Sequence, residues 1–347
     1  MTMPTLALAP RRMPGRWTIL AIVAALFVLL GLAGIGFGST WIPLDRVATI
    51  LLGGGERTDR LIVLSLRLPR VAAAMLAGGA IALAGYQLQR ITRNELASPG
   101  VLGVVDGAAL GVVLFMAIFS DESNALVVPV AWQPLAAALG ALGAIALVFI
   151  LSGRQASSAI RLLLFGIAIA AAAKALTTIF MLVGPIYQAS QAARWLAGAV
   201  NEVNWGEIQI MAICLVPALL LAALLARHLP PADLDDVSAQ GIGLNVPVYR
   251  ILVFANAALL TAIAVSFVGG VGFIGLIAPH LARLLVGRAR LAGMLVTALV
   301  GAMMLMGADL LIRVAFSPIE VPAGTLTAIL GAPYFLFLLM RKDKANG

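Results

Sequence analysis

Charge is what this 347-residue chain has least of: Asp, Glu, Lys and Arg make up 11% of it, where soluble domains approach about a quarter. Hydrophobic residues fill 62% and the mean hydropathy is +1.06, so an ordinary soluble domain is excluded. An integral membrane protein is expected instead. Cysteine is nearly absent. Cys214 alone, inside an apolar run, excludes a disulfide framework or a Cys-based metal site and reads as a small hydrophobe. The two histidines, His228 and His280, stand at separate ends of apolar runs and do not make an imidazole metal cluster. Lysine occurs three times, at 174, 342 and 344, none in a glycine-rich phosphate-binding loop, so this chain is expected to bind no nucleotide. Arginines carry most of the +8 net charge but are scattered at the ends of apolar runs, without a clustered basic face or interleaved aromatics. Nucleic acid is therefore not an expected partner.

What is abundant is apolar runs of membrane-crossing length. At about 20 residues per span, broken at charges, Pro and Gly clusters, the chain predicts ten helices: 17–40, 70–89, 101–119, 134–151, 162–184, 206–226, 250–268, 270–286, 291–312 and 322–340. The first, behind Arg11, Arg12 and Arg16, is too long for a secretory signal of about 7–15 apolar residues and is read as a span. An even number of spans puts both termini on one side. With that side cytoplasmic, fifteen basic residues lie inside and seven outside, Lys174 being within a span, so the charge bias predicts N-in and C-in. The domain organisation is a single transmembrane domain, 1–347, with 1–16 as a cytoplasmic tail.

Three stretches are not expected to cross. Residues 41–66 are too polar and glycine-rich and are placed on the outer surface before the second span. Residues 185–205 predict a short amphipathic helix with Trp195 and Trp205 in the outer aromatic belt. Residues 229–249 form the long inner loop, with a helix over Leu234 to Gln240 capped by Asp233 or Asp235 and ended by Gly241 or Gly243. A capped, solvated loop accounts for that pattern as well as a working element does.

The segment Ser266 to Arg283, SFVGGVGFIGLIAPHLAR, has glycines at 269, 270, 272 and 275 and is expected to be closed by Pro279 and His280. Such glycines allow close backbone approach, and the amides they free must be met by neighbouring protein because lipid offers no partners. Together with LRLPR (66–70), RNELASPGVL (93–102) and EVPAGTLTAILGAP (320–333), in this order over roughly residues 40 to 340, the segment resembles the permease of ABC importers for iron-siderophore chelates, haem and vitamin B12.

That resemblance implies an all-α integral membrane protein of the type II ABC importer permease fold, ten spans per subunit, whose two halves are related by inverted pseudo-symmetry. Implied partners are a second permease subunit (the same chain or a paralogue), two ATP-binding subunits that hold the ATP and Mg, and a substrate-binding protein. The implied cargo is a ferric siderophore, with haem or vitamin B12 as the family's other cargoes, and the compartment is the bacterial inner membrane. LSGRQ at 151–155 is one residue from the ABC ATPase signature, but without a phosphate loop it is not an ATPase site.

The resemblance also assigns residues. Leu234, Asp236, Ser238, Ala239, Gly243 and Leu244 match the coupling helices that sit in the ATPase cleft, with Gly241 a departure. Arg67, Arg70 and Arg313 match arginines that dock acidic residues of the binding protein. Plain interface anchoring is the other reading, with Asp309 four residues before Arg313 as a local partner. Asn94, Leu96, Ser98 and Pro99, with Ser157 and Ser158, match the cytoplasmic gate, with Glu95 where the family usually has proline. Lys174 lies 174 − 161 = 13 residues beyond Arg161, about 20 Å along a helix and so near the middle of the membrane. It is read either as the partner of a group such as Asp106 or as a cation facing the pathway.

Two other classes are weighed. An ion-coupled secondary transporter would place carboxylates or histidine at midplane, whereas Asp106 and Asp309 lie near opposite span ends. An intramembrane enzyme would need paired acids, a Ser/His pair or a metal motif within the spans.

Overall fold

The computed structural model describes residues 15–38, 40–121, 126–153, 158–228, 236–287 and 289–346. They form fourteen α-helices in chain order: α1 Arg16–Gly36, α2 Leu44–Leu51, α3 Arg57–Arg60, α4 Leu68–Ile91, α5 Val104–Ile118, α6 Gln133–Ser152, α7 Ala159–Val183, α8 Ile186–Leu196, α9 Trp205–Leu225, α10 Asp236–Gly241, α11 Val246–Val268, α12 Ile274–Val286, α13 Arg290–Ala315 and α14 Ala323–Asn346. Each of the ten expected spans coincides with a helix. Seven helical stretches are long and apolar enough to cross a membrane, namely α1, the continuous run Arg57–Ile91, α6 with its lead-in, α7, α9, α11 and α13. α5 and α12, with 15 and 13 residues, rise only about 23 and 20 Å, short of a roughly 30 Å hydrocarbon core. Non-helical backbone completes them, the 3-10 turn Pro99–Leu102 before α5 and residues 269–273 before α12. Irregular backbone at this depth is tolerated where protein surrounds it.

α4 is the centre of the bundle. It is buried on nearly every side, with α11, α12 and α13 packed against it and α1 outside α13, while α5, α6 and α7 form a second group that meets the first through α11. The α4–α13 crossing depends on glycine. A Cβ added to Gly78 would stand 2.5 Å from the carbonyl oxygen of Gly301, so any side chain would drive the two backbones apart. The glycine-rich break between α11 and α12 behaves as its composition demands. Gly269, at φ +73°, ends α11, and the amide of Gly270 donates to the carbonyl of Trp195 at 3.0 Å. Neighbouring protein has supplied the partner that lipid lacks.

Two boundaries differ from expectation, and two side chains add detail. The helix of the second span begins at Arg57, not near 70, passing through a π-helical turn at Leu61–Arg67. Pro69 is the reason. It cannot donate to the carbonyl behind it, and the wider register accommodates the ring. Trp205 then donates its indole N–H to the carbonyl of Leu64 at 2.7 Å. Pro279 does not close its segment, because α12 runs on to Val286. Trp195, on α8, is buried in the protein. Cys214 is exposed on the flank of α9, a small hydrophobe on the outside of the chain rather than in its core.

Candidate functional site

The candidate residues collect in three places: the end of the bundle that carries α10, a cleft beside α7, and the opposite end. At the α10 end, the short helix closes with the amide of Leu244 on the carbonyl of Ala239 (3.1 Å) and that of Gly243 on Gln240 (2.9 Å). Gly243 supplies the φ of +90° that this C-terminal motif requires, so Gly241 stays inside the helix instead of loosening it. Ala239 is buried, whereas Val237 and Ile242 stand exposed on the outer face. Leu234, Asp233 and Asp235 lie outside the described residues. Asp236 does not point away from the membrane domain. It pairs with Arg250 of α11 at 2.8 Å and with Arg93 at 3.4 Å, tying α10 to the loop after α4.

That loop, residues 92–98, holds Asn94 and Leu96, joined by an Asn94 side chain that accepts the Leu96 amide at 3.0 Å. Arg93 takes φ +52°, a conformation non-glycine residues rarely adopt. Glu95 reaches across to α12, to Arg283 at 3.0 Å and His280 at 3.7 Å. The loop is therefore strung between α10 and α12 by ion pairs. Sequence reasoning missed this linkage. Arg93 and Glu95 were in view as parts of a motif, and His280 and Arg283 as span-end charges, but pairing across about 185 residues of chain leaves no local pattern. Ser158 sits at the start of α7, which packs on the 3-10 turn that follows the same loop. Ser157 lies outside the described residues.

A cleft of about 670 Å³, open on the exposed flank of α7, lies between α4, α5, α7, α11 and α12. Ser98, the last residue of that loop, bounds it with Pro99 and Gly100. Asp106, Lys174, Thr177 and Thr178 line its flank, and the glycine break with Phe273 lines another. Lys174 and Asp106 both line this space.

At the opposite end, the three arginines expected on a docking surface are largely engaged. Arg67 is buried, correcting the expectation of an outward guanidinium. It donates to the carbonyls of Ile35 (2.9 Å), Gly36 (2.7 Å) and Thr40 and so caps the end of α1. Arg70 pairs with Asp309 at 2.8 Å and with Glu320 at 3.5 Å, and Glu320 also accepts from Asn201 at 2.7 Å. Asp309 therefore serves Arg70 and not Arg313, contrary to the expected local pair. Arg313 donates to the carbonyl of Gly34, and its Nε and Nη1 are buried without a partner. All three arginines line a cavity of about 320 Å³ that opens beside Glu320.

A bundle of ten membrane helices with two incomplete spans and a small helix tied to its end is the architecture of a type II ABC importer permease. The sequence profile of the FecCD transport family matches residues 26–341, and the chain belongs to that family. It is 39% identical over 325 residues to YfhA of Bacillus subtilis (strain 168), named as a siderophore transport system permease protein, covering 94% of this chain and 95% of the relative. FhuG of the same organism, an iron(3+)-hydroxamate import system permease protein, is 37% identical, with 94% and 96% covered. Among solved structures, an inward-facing conformation of a metal-chelate type ABC transporter aligns with a TM-score of 0.80 at 28% identity, covering 93% of this chain and 99% of that one.

Proposed function

We propose that this chain is the permease subunit of an ATP-driven importer that moves a ferric siderophore across the bacterial inner membrane into the cytoplasm. The observation that carries the reading is the cleft beside α7 whose floor, Ser98–Gly100, continues from the ion-paired loop at the α10 end. A cargo path needs a polar-lined space and a floor that an external engine can move, and here the floor's loop is linked to α10 by Arg93–Asp236. The α10 end is read as cytoplasmic, with both termini there, residues 1–347 as one permease domain and 229–249 as its coupling loop. Two permease subunits, identical or paralogous, two ATP-binding subunits and a substrate-binding protein complete the assembly. ATP and Mg belong to the ATP-binding subunits, and this chain performs no covalent chemistry.

Asp236, Ser238, Ala239, Gly243 and Leu244, with Leu234 before them, are read as the coupling element, whose exposed Val237 and Ile242 meet the ATP-binding subunit. Asn94, Leu96, Ser157 and Ser158 are read as gate residues. Docking of the binding protein is assigned to the cavity beside Glu320. An incoming carboxylate there would enter the field of Arg67, Arg70 and Arg313, two of which act from behind the surface. Lys174 gives the pathway a fixed positive charge, which favours an acidic chelate. The test is uptake into proteoliposomes holding the complete transporter, run against a panel of ferric siderophores, haem and vitamin B12. Siderophore uptake with no transport of the other two is the expected result, and preferential haem or vitamin B12 uptake would replace the cargo assignment.

A further inference from the structure

At the end opposite α10, the three arginines that line the cavity of about 320 Å³ differ in which donors they have left. Arg67 has both terminal nitrogens on main-chain carbonyls, Nη1 on those of Ile35 and Gly36 and Nη2 on that of Thr40. Arg313 donates Nη2 to the carbonyl of Gly34, and its Nε and Nη1 are buried, shielded from a group arriving from outside. Arg70 gives Nε and Nη2 to Asp309, at 3.2 and 2.8 Å. Arg70 Nη1 remains, and among the described residues its acceptor is Glu320 Oε1, 3.5 Å away.

Glu320 is the one carboxylate among the described residues lining that cavity. Its side chain is 66% exposed, against 5% for Asp309. A charge-assisted N–H···O pair ordinarily closes to about 2.7–2.9 Å, so the contact with Arg70 is a loose one. What holds Glu320 there is its other oxygen, which accepts from Asn201 Nδ2 at 2.7 Å. The backbone of its segment is fixed separately, by the Gly324 amide donating to the carbonyl of Gly198 at 3.1 Å. Removing the Glu320 charge therefore leaves the segment anchored.

We propose that Glu320 is an internal stand-in for a carboxylate of the substrate-binding protein: it occupies Arg70 Nη1 in the undocked permease, and docking exchanges one carboxylate for the other. This rests on the reading that the binding protein docks at this end, and it specifies Arg70 as the arginine touched, with Arg67 and Arg313 acting through their field. Two carboxylates at one nitrogen repel, so Glu320 must leave as the second arrives, keeping Asn201 and gaining water. The exchange makes docking weaker than an open guanidinium would, which suits a partner that has to depart after each delivery.

The experiment titrates the transporter's fluorescently labelled binding protein onto the complete transporter in nanodiscs, at low and high salt. Glu320→Gln keeps the side chain's length and removes its charge. It should tighten capture about three- to fivefold at low salt, the range of an exposed ion pair that no longer has to be broken, and the gain should shrink at high salt. Asn201→Ala, which leaves every charge in place but frees Glu320, should tighten capture about twofold. Glu202→Gln removes a carboxylate that pairs with Arg194 at 3.9 Å, outside the cavity, and should match the wild type. Salt-sensitive capture that Glu320→Gln leaves unchanged overturns the exchange alone. Weaker capture by Glu320→Gln, at an unchanged melting temperature, also overturns it, because Glu320 would then be a docking contact itself. Wild-type capture that ignores salt, or fails, removes the docking reading and the exchange with it.

Discussion

Replacing Asp309 with Asn should cost about 3 kcal/mol of stability, and the structure gives the reason for that size. The carboxylate accepts from Arg70 Nη2 at 2.8 Å and Nε at 3.2 Å, with the two side chains 5% and 14% exposed. Removing one partner of a buried pair costs roughly 3–5 kcal/mol, mostly through the charge left behind. Glu320, 3.5 Å from Arg70 and 66% exposed, remains to offset part of it, which argues for the lower end of that range. Arg67 and Arg313 line the cavity that Arg70 also lines, so the loss removes a negative charge from beside three guanidiniums. At about 1.4 kcal/mol per factor of ten, the unfolded fraction should rise on the order of 150-fold. Chemical unfolding in detergent micelles measures this directly. A cycle with Arg70→Met, Asp309→Leu and both together should show a coupling of at least about 1.5 kcal/mol, because replacing both charges removes the uncompensated one. If Asp309→Asn unfolds within about 0.5 kcal/mol of wild type yet fails to capture the binding protein, the pair is a docking device and the structural argument fails.

Three further outcomes are expected. Asp236→Lys places a third cation beside Arg93 and Arg250, so uptake should fall at least about tenfold while ATP hydrolysis persists; parallel rates of both in proteoliposomes check it, and an unchanged ratio would contradict the coupling role. Lys174→Met should reduce uptake of anionic chelates about fivefold or more and leave neutral ones within about twofold, whereas a uniform loss with lowered melting temperature would make Lys174 structural. Gly78→Val should destabilise by about 2–3 kcal/mol because its Cβ meets the Gly301 carbonyl, while Gly143→Ala, with open space at its Cβ, should change stability by less than about 0.5 kcal/mol in the same melting assay.

The spans were readable in the sequence because each apolar run of about 20 residues must be helical in lipid, whatever its neighbours do. The glycine break at 269–275 was readable for the same reason: freed amides in an apolar run demand protein around them. The start of the second span was not. The polarity of residues 57–60 argues for a surface loop, and only the continued helix through Leu61–Arg67 shows that they extend a span. Among the candidate residues, position along the chain told which end of the bundle each would reach, but not where its side chain would turn. Arg67 and Arg313 stand at the expected end, yet turn inward to the carbonyls that α1 leaves unpaired. Asp236 sits on the expected helix but turns to Arg250, and Glu95 finds Arg283 far along the chain. Such choices are made by tertiary packing, which brings in partners that no local spacing announces.

The central claim is that ATP hydrolysed by a separate subunit drives cargo through this chain. The direct measurement is accumulation of a radiolabelled ferric siderophore in proteoliposomes with binding protein supplied, comparing the permease with its ATP-binding subunit and ATP, the same assembly without ATP, and the permease alone under a proton or sodium gradient. The account predicts accumulation only in the first. Accumulation by the permease alone, driven by an ion gradient, would contradict it.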